Sequence, residues 1–263
     1  MHKRKIIGII PTRMGSTRFP GKPLAPIHGM PMIGHVYHRS KQSKLLDEVY
    51  FSTYDFEHEI IAYASSIGAK VAQANTRYER PSDITAHALR EIEKETGEKI
   101  DIVVMIQGDE PMVTPEMIDL ALGALVNDPS VGVANLMAPI TTDAEHEDPN
   151  CPKVVVDTDN NALYFSREAI PSKKKWSGGA IPRFKQVCIM PFTREFLMKF
   201  NELAPTPLEK VESIDMNRFL EHGYKVKMVL EEFETQCVDT PKDLEKVKEM
   251  MLHDRLRSTY ARS

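Results

Sequence analysis

The first 140 residues alternate short apolar runs with longer amphipathic stretches, and this alternation limits the possible folds more than any other feature. Short apolar runs bounded by turn residues are typical of buried strands, and the stretches between them have helical spacing. Strands that alternate with helices predict an α/β fold with a doubly wound, mostly parallel sheet. The predicted strands are residues 5–11, 48–54, 69–74, 101–111 and 132–140, and the predicted helices are residues 30–43, 56–68, 84–96 and 114–127.

The second half of the chain has a different pattern. Residues 154–164 contain two apolar segments around an Asp-Asn-Asn turn, which predicts a β-hairpin. Because no linker or repeat interrupts the chain, we predict one domain over residues 1–263, with an inserted antiparallel portion at about residues 154–195. The remaining predictions are strands at residues 184–192 and 224–232, and helices at residues 193–202, 207–223 and 240–262.

Composition excludes several classes of protein. The net charge of −4 argues against a nucleic-acid partner, since such proteins are usually basic. The three cysteines, Cys151, Cys188 and Cys237, are far apart and form no CxxC pair, which favours reduced thiols over disulfides or a zinc site. No apolar run approaches the ~20 residues of a membrane helix. We therefore expect a cytoplasmic protein with no membrane partner.

A cationic loop follows the first predicted strand. Arg13, Arg18 and Lys22 are interspersed with small residues that include Gly15 and Gly21. In doubly wound sheets, ligands bind beyond the carboxyl ends of the strands. Glycines allow the close approach of backbone N–H groups to an anion, and the cations add charge-assisted hydrogen bonds. The loop therefore predicts a polyphosphate site, with a basic surface loop as the alternative.

The two best-known phosphate-binding loops do not match this segment. The Walker pattern requires GxxxxGK[ST], but five residues separate Gly15 from Gly21, and Pro23 replaces the Ser or Thr. The dinucleotide pattern GxGxxG is absent, and Pro20 and Pro23 prevent a helix from starting directly after the strand. A longer, irregular triphosphate loop remains.

Two acidic residues are candidate metal ligands. Asp109 ends the fourth predicted strand, and Asp239 precedes the last predicted helix. Taken singly, Asp109 could be a solvated turn residue, and Asp239 could assist a helix entry with Thr240 as N-cap and Pro241 at N1. If the two carboxylates meet at the edge of the sheet, they could hold Mg²⁺ against phosphates bound by the first loop.

Five motifs give the chain a family resemblance that extends from residue 6 to about residue 247. They are STRFPGKPL, IQGDEPM, ALYFSREAIP, PLEKVE and VDTPKDLEKV, in this order. The chain resembles the sugar-acid cytidylyltransferases, and within them the 3-deoxy-manno-octulosonate (Kdo) cytidylyltransferase, or CMP-Kdo synthetase, family. The resemblance implies a Rossmann-like nucleotidyltransferase fold, CTP as donor, Mg²⁺ as cofactor, a small sugar acid as acceptor, and a homodimer formed through the inserted portion.

The resemblance also implies roles for individual residues. Lys22, Arg13 and Arg18 would be catalytic, and Asp109 and Asp239 would bind the metal. The nucleotide would contact Pro11, Arg13, Gly15, Ser16, Thr17, Lys22, Arg77, Ser82, Gln107 and Asp109. The acceptor would contact Arg167, Gln186, Glu209, Glu212 and Asp215.

The departures from the family pattern concern the acceptor more than the phosphates. The family motif TRxxHxSGTER is only partly present in residues 76–86, a family histidine is replaced by Gln186, and a Glu-Gln pair is replaced by Asp215-Met216. The acceptor therefore stays open between a Kdo-like ulosonic acid, a sialic-acid-like sugar and a phosphonate. A non-catalytic nucleotide-binding protein on the same fold is a further alternative.

Overall fold

The computed structural model describes residues 3–261. The chain divides into two compact units. The first unit comprises the residues up to Asp119 together with those from Glu234 onward, and the second comprises Leu120–Phe233. The single domain with an inserted portion stays a prediction.

The first unit begins with alternating strands and helices, as the sequence predicts. Each predicted strand of this region is present. The first strand is followed by a short 3-10 helix at Lys22–Leu24 and then by a hairpin of two strands with two residues each. The elements are β1 (Ile6–Pro11), β2 (Pro26–Ile27), β3 (Met30–Pro31), α1 (Met32–Ser40), β4 (Glu48–Tyr54), α2 (His58–Ser66), β5 (Lys70–Ala74), α3 (Pro81–Thr96), β6 (Ile102–Ile106) and α4 (Pro115–Asn127), whose second half lies in the second unit.

The four long strands of the first unit form a parallel sheet in the order β6–β1–β4–β5. In its register, Ile9 lies opposite Met105 on one side and Tyr50 on the other. The strands consist mainly of buried apolar residues, as expected for a parallel sheet. Parallel alignment brings the carboxyl ends of β1, β4 and β6 to one edge, and the segments after β1 and β6 are the predicted phosphate and metal segments.

The boundaries of α3 illustrate how local chemistry sets helix ends. The helix begins at Pro81, three residues before the predicted start at residue 84. Proline suits the first helical position because its missing N–H would have no intrahelical partner there. The helix ends before Gly97, whose φ of 70° is strained for residues with a Cβ atom.

The second unit is a mixed α/β structure. Its five-stranded sheet has the order β12–β7–β10–β8–β9, with β12 parallel to β7 and the other pairs antiparallel. The hairpin predicted at residues 154–164 is confirmed by β8 and β9. The elements are β7 (Ala134–Pro139), α5 (Asp143–Glu147), β8 (Lys153–Val156), β9 (Ala162–Ser166), β10 (Phe184–Val187), β11 (Ile189–Thr193), α6 (Arg194–Glu202), α7 (Pro207–Glu212), α8 (Met216–Glu221) and β12 (Lys227–Leu230).

Two predicted elements of this unit are divided in the structure. The helix predicted at residues 207–223 is α7 and α8, because Ser213 adopts a left-handed conformation with φ of 55° and ends α7. The strand predicted at residues 184–192 is interrupted at Cys188, between β10 and β11. The short helix α5 was not predicted.

The chain returns to the first unit for α9 (Pro241–Met250). Thr240 is its N-cap and accepts from the backbone N–H of Asp243, so the predicted cap is confirmed. The helix was predicted to reach residue 262 but ends at Met250. Beyond it, Tyr260 bonds through its hydroxyl to His35 and Arg39, both at 2.8 Å, and these tertiary contacts replace a continuing helix.

The inner side of α9 is apolar. It packs in a core cluster with residues from the first hairpin, α1 and the segment after β6. The buried members are Ile27, Met32, Met112, Val238, Leu244, Val247 and Met251. Among residues 3–261, no helix combines the length and apolar character needed to cross a membrane.

Candidate active site

The loop after β1 folds back on itself within the first unit. The backbone N–H of Thr12 donates to the Ser52 carbonyl at 2.9 Å, which fixes the start of the loop. The Met14 carbonyl then accepts from the N–H groups of Ser16, at 2.9 Å, and Gly21, at 3.0 Å. Gly21 has a φ of 74°, which a residue with a Cβ rarely adopts. This turn places Lys22 at the start of the 3-10 helix.

The two candidate metal ligands come together at the same edge of the sheet. Asp109 follows β6 in a tight turn, and its carbonyl accepts from the backbone N–H of Val238 at 2.9 Å. Asp239, the next residue, donates from its own N–H to Asp243 of α9 at 3.2 Å. The packed helix α9 therefore holds Asp239 close to Asp109, although the two lie far apart in the sequence.

Lys22 lies between these two carboxylates. Its Nζ is 2.7 Å from Asp109 Oδ2 and 3.3 Å from Asp239 Oδ1. It also donates to the Val238 carbonyl at 3.0 Å. Arg18 adds a second cation, with Nη2 at 2.8 Å from Asp239 Oδ1. The structure thus joins residues of the cationic loop directly to both candidate metal ligands.

Burial makes these charges interact strongly. The side chains of Lys22, Asp109 and Asp239 are 14%, 17% and 15% exposed. Burial alone would lower the pKa of Lys22, but the neighbouring carboxylates, Asp109 first, raise it above its ordinary value. The lysine is therefore a permanent cation at neutral pH. It balances part of the negative charge of the carboxylate pair.

These groups face a cavity of about 280 Å³ in the first unit. The loop and the carboxyl ends of β1, β4 and β6 form much of its lining, and residues 78–81 complete the wall. A pocket of this size with convergent cations and carboxylates is typical of a site for a small charged ligand.

Most residues of the predicted nucleotide and metal sets line this cavity. The lining includes Pro11, Arg13, Gly15, Ser16, Thr17, Arg18, Lys22, Gln107, Asp109 and Asp239. Two predicted residues lie outside it. Arg77 packs its guanidinium over the Phe56 ring, 5.1 Å from the centroid, and Ser82 is buried in the first turn of α3.

The predicted acceptor residues all belong to the second unit, where two of them are in direct contact. The Arg167 backbone N–H donates to Glu212 Oε2 at 2.7 Å, and its guanidinium Nε donates to the Glu212 carbonyl at 2.6 Å. Glu212 Oε1 accepts from the hydroxyls of Tyr164, at 2.7 Å, and Ser166, at 2.9 Å. These hydrogen bonds outweigh the effect of burial and lower the pKa of the Glu212 carboxyl.

The other predicted acceptor residues have separate environments. Glu209 is buried and forms two hydrogen bonds with Arg218, at 2.5 Å and 2.7 Å, and it also closes the capping box of α7. Gln186 donates from Nε2 to Asn135 at 2.6 Å. Asp215 is half-buried immediately before α8.

Several residues of the cavity lining received no role from the sequence, and two of them are tyrosines. Tyr54 and Tyr78 line the cavity, and the Tyr54 hydroxyl both accepts from the Tyr78 N–H and donates to the Tyr78 carbonyl, at 3.2 Å in each case. Tyr54 ends β4, so its position at a carboxyl strand end was a usable signal. Cys237, two residues before Asp239, also received no site role, and its Sγ lies within 4.8 Å of carboxylate oxygens of Asp109 and Asp239. Burial, reinforced by nearby carboxylates, raises the pKa of its thiol.

The carboxylate pair has the donors that a divalent cation requires. One ligand atom each from Asp109, Cys237 and Asp239 lie within 4.8 Å of one another. Asp109 Oδ1 is buried and has no hydrogen-bond partner among residues 3–261. A buried carboxylate oxygen without a partner is costly, and a bound cation would satisfy it. The residues present therefore fit a metal ion.

Comparisons with known proteins agree with these observations. A family model described as Cytidylyltransferase matches residues 7–233. The chain is 38% identical over 256 residues to a 3-deoxy-manno-octulosonate cytidylyltransferase of Geobacter metallireducens, covering 94% of this chain and 98% of the relative. It is 40% identical over 254 residues to the protein of the same name from Pelobacter propionicus, covering 93% and 96%.

A solved structure is similar over nearly the whole chain. It is a CMP:2-keto-3-deoxy-manno-octonic acid synthetase complexed with CTP, with a TM-score of 0.83 and 34% sequence identity, covering 94% of this chain and 98% of that one. The predicted family resemblance and the Rossmann-like nucleotidyltransferase fold are therefore confirmed.

Proposed function

The chain belongs to the cytidylyltransferase family, and from this premise we propose that it transfers the cytidylyl group of CTP to a Kdo-like ulosonic acid and releases pyrophosphate. The observation that carries the proposal is the position of Lys22. This residue of the cationic loop bonds to both Asp109 and Asp239, and all three line the cavity. The names of the relatives in Geobacter and Pelobacter support the choice of acceptor.

The reaction needs a nucleophile, a leaving group and charge stabilisation. An acceptor hydroxyl attacks the α-phosphorus of CTP in line and forms the new O–P bond, its proton goes to solvent, and the bond to the pyrophosphate oxygen breaks. Lys22, Arg13 and Arg18 stabilise the negative charge that develops on the phosphate oxygens. Because the acceptor hydroxyl attacks directly, no covalent enzyme intermediate is required.

Backbone groups complete the phosphate site. Gly15 and Ser16 lie in the loop segment that lines the cavity, and Gly21 allows the turn that brings Lys22 back toward it. The N–H groups of Ser16 and Gly21 donate to the Met14 carbonyl and shape the loop. A loop of this kind can present other N–H groups to phosphate oxygens without a helix N-terminus. The residues around Tyr78 are also part of the cavity lining, and we place the nucleoside of CTP beside them.

The proposed cofactor is Mg²⁺, held by the carboxylates of Asp109 and Asp239. Hard cations prefer carboxylate oxygens, and Mg²⁺ keeps part of its shell for water and phosphate. When bound, it would polarise the α-phosphate and offset the charge of the leaving pyrophosphate. The carboxylate pair would hold the ion, and Lys22, which bonds to both carboxylates, would bind the phosphates.

The acceptor proposal rests on the second unit and on the relatives. Arg167, Gln186, Glu209, Glu212 and Asp215 are the proposed acceptor set, and the guanidinium of Arg167 is the one permanent cation among them. Its internal hydrogen bonds fix its orientation, as a carboxylate-binding arginine requires. A sialic-acid-like sugar or a phosphonate is the second candidate, favoured by the departures around Gln186 and Asp215.

The decisive experiment incubates the protein with CTP, Mg²⁺ and one acid from a panel of Kdo, a sialic acid and a small hydroxyphosphonate. Pyrophosphate release measures turnover, and mass spectrometry identifies the CMP-linked product. We expect release with Kdo and a product mass equal to CMP-Kdo. Turnover with a different acid would change the acceptor. No release from CTP with any of these acids would favour the non-catalytic alternative.

We further propose a homodimer that pairs through residues 154–195, in the cytoplasm. Two large apolar side chains of this segment, Leu163 and Trp176, are 61% and 57% exposed, and they are available to pack against a partner subunit. The three cysteines are free thiols, consistent with a reducing compartment. Sedimentation of the purified protein, with Leu163→Glu as the monomeric variant and Leu252→Glu as the control, tests the dimer.

A further inference from the structure

The thiol of Cys237 lies beside the proposed magnesium ligands. The residue is half-buried, and the next residue, Val238, is hydrogen-bonded through its N–H to the Asp109 carbonyl. Its Sγ and one carboxylate oxygen each from Asp109 and Asp239 lie within 4.8 Å of one another. Sulfur is not a ligand that Mg²⁺ prefers, so the proposed reaction leaves this group without a role.

A second, independent observation points to a cation at this place. Asp109 Oδ1 is buried and has no hydrogen-bond partner in the described part of the chain. Its Oδ2 is already bonded to Lys22 at 2.7 Å. One oxygen of the same carboxylate is thus available for a ligand that approaches from the side not occupied by the lysine.

We propose that Asp109, Cys237 and Asp239 form a site for a thiophilic divalent cation such as Zn²⁺, with the Cys237 thiolate as a ligand in addition to the two carboxylates. Zinc binds thiolate and carboxylate together and accepts four ligands, so a water or a phosphate oxygen can complete the shell. On binding, the cysteine S–H bond breaks, the proton goes to solvent and an S–metal bond forms. No electron is transferred.

The geometry requires a small adjustment. Ligands that lie about 2.0–2.3 Å from a tetrahedral ion are separated by about 3.5 Å, so atoms that lie within 4.8 Å of one another would close by at most about 1.3 Å. Rotation of the Cys237 and Asp239 side chains can supply that movement. The cation would also compete with Lys22 and Arg18, which bond to the same carboxylates.

Zinc at this position would change the behaviour of the enzyme. The proposal rests on the metal site of the proposed function, and it adds that this site discriminates poorly against softer ions. Affinity of such a site for divalent ions rises from manganese to copper and then falls to zinc, and a thiolate ligand favours copper and zinc over the hard ion Mg²⁺. Zinc held by Cys237 would exclude Mg²⁺, so we expect zinc to inhibit turnover in a manner that excess Mg²⁺ relieves.

Cobalt is the probe for the test, because a thiolate bound to Co²⁺ gives an intense near-ultraviolet charge-transfer absorption and carboxylates do not. The full chain is titrated with Co²⁺ in the absence of nucleotide, and Zn²⁺ is then added to displace it. We expect the absorption to rise to one cobalt per chain and to disappear with Zn²⁺. Cys237→Ser should abolish it, whereas Cys151→Ser and Cys188→Ser should retain it.

Direct zinc binding gives the size of the effect. Cys237→Ser should weaken Zn²⁺ binding by roughly 10–100-fold or more, at least the loss caused by removing an outer partner of a metal ligand. Binding of Mg²⁺ should be unchanged in the same variant. Equal zinc affinity in the variant, or an absorption that persists without Cys237, would overturn the inference.

The result is separable from that of the proposed function. Cobalt absorption without CTP-dependent pyrophosphate release would support the thiol site and contradict the enzyme. Release with Mg²⁺ and no cobalt absorption would support the enzyme and contradict the thiol site.

Discussion

The cavity of the first unit and the polar network of the second unit both contain buried carboxylates, but those carboxylates are satisfied differently. In the cavity, Asp109 bonds to Lys22 through one oxygen and leaves the other without a partner in the described residues. In the network, both oxygens of Glu212 accept hydrogen bonds, from Tyr164, Ser166 and the Arg167 N–H.

This difference shows that residues of a family motif can have either of two roles: to bind a ligand or to stabilise the fold. The residues around Lys22 and Asp109 keep bonding capacity that a ligand can use. The PLEKVE and ALYFSR segments use much of theirs within the unit, because Glu209 and Glu212 close a helix cap and fasten a strand. A family motif can therefore report a scaffold as well as a binding site.

The largest expected effect is on the scaffold side of the comparison. Arg218→Met leaves the Glu209 carboxylate, which is 1% exposed, without its cation. Breaking a buried ion pair in this way costs about 3–5 kcal/mol. We expect the free energy of unfolding of this variant, determined by urea titration, to fall by that amount. The control is Lys199→Met, which removes an exposed pair with Glu202 at 3.6 Å and should cost less than about 1 kcal/mol. Equal free energies of unfolding for the two variants would show that the buried Glu209–Arg218 pair stabilises the fold no more than an exposed pair does.

The next effect is on the cavity side and should appear in rate. Lys22→Met removes the cation between Asp109 and Asp239, and we expect kcat/KM for CTP to fall by about 10²–10³, or about 2.7–4 kcal/mol. Steady-state pyrophosphate release measures the loss, and urea unfolding verifies that the variant is folded. Lys41→Met is the matched control, because Lys41 forms an exposed pair with Glu48 at 2.8 Å. A similar fall of kcat/KM in both variants would show that Lys22 has no specific role in the reaction.

Much of the first unit was predictable because its strands are continuous apolar runs. The run that forms β1 is bounded by Pro11, and the run that forms β6 is followed by the Asp109 turn. Parallel strands then place the segments that follow them at a common edge. This rule, together with the helix cap at Thr240, was enough to bring Lys22, Asp109 and Asp239 into one hypothesis.

The second unit was less predictable because its breaks depend on single backbone conformations. Ser213 adopts φ of 55° and divides a stretch with helical spacing into α7 and α8. Nothing in the spacing of apolar residues distinguishes this serine from a helical one. In the same way, the contacts of Glu212 with Tyr164 join residues of α7 and β9, and only the tertiary structure shows that this carboxylate is internally satisfied.

A third prediction extends the comparison of buried carboxylates to Glu231, which has neither a metal-binding nor an ion-pair role. Glu231 is 1% exposed, and burial raises its pKa to about 7, against the smaller opposing effects of the Phe233 N–H and Lys185. The folded state therefore holds this proton more tightly than the unfolded state. Stability should fall as pH rises from about 4.5 through about 7 and then stay low.

The variant Glu231→Gln tests this pH dependence, because it cannot ionise. We expect it to be more stable than the parent protein by about 1–3 kcal/mol at pH 8, and no more stable at pH 4, in parallel urea titrations. A stability difference that does not change with pH would show that Glu231 does not titrate in this range.

The smallest effect concerns the cavity wall and decides whether unassigned residues belong to the site. Tyr54→Phe removes both hydrogen bonds that fasten Tyr78 to the end of β4, at 3.2 Å each. A net loss of about 1 kcal/mol should raise KM for CTP about fivefold and leave kcat unchanged, since Tyr54 positions the wall and does not touch the reacting phosphates. Tyr63→Phe, a change in α2 outside the cavity lining, is the control. A fall in kcat without a change in KM would move Tyr54 from the nucleoside wall to the reaction centre.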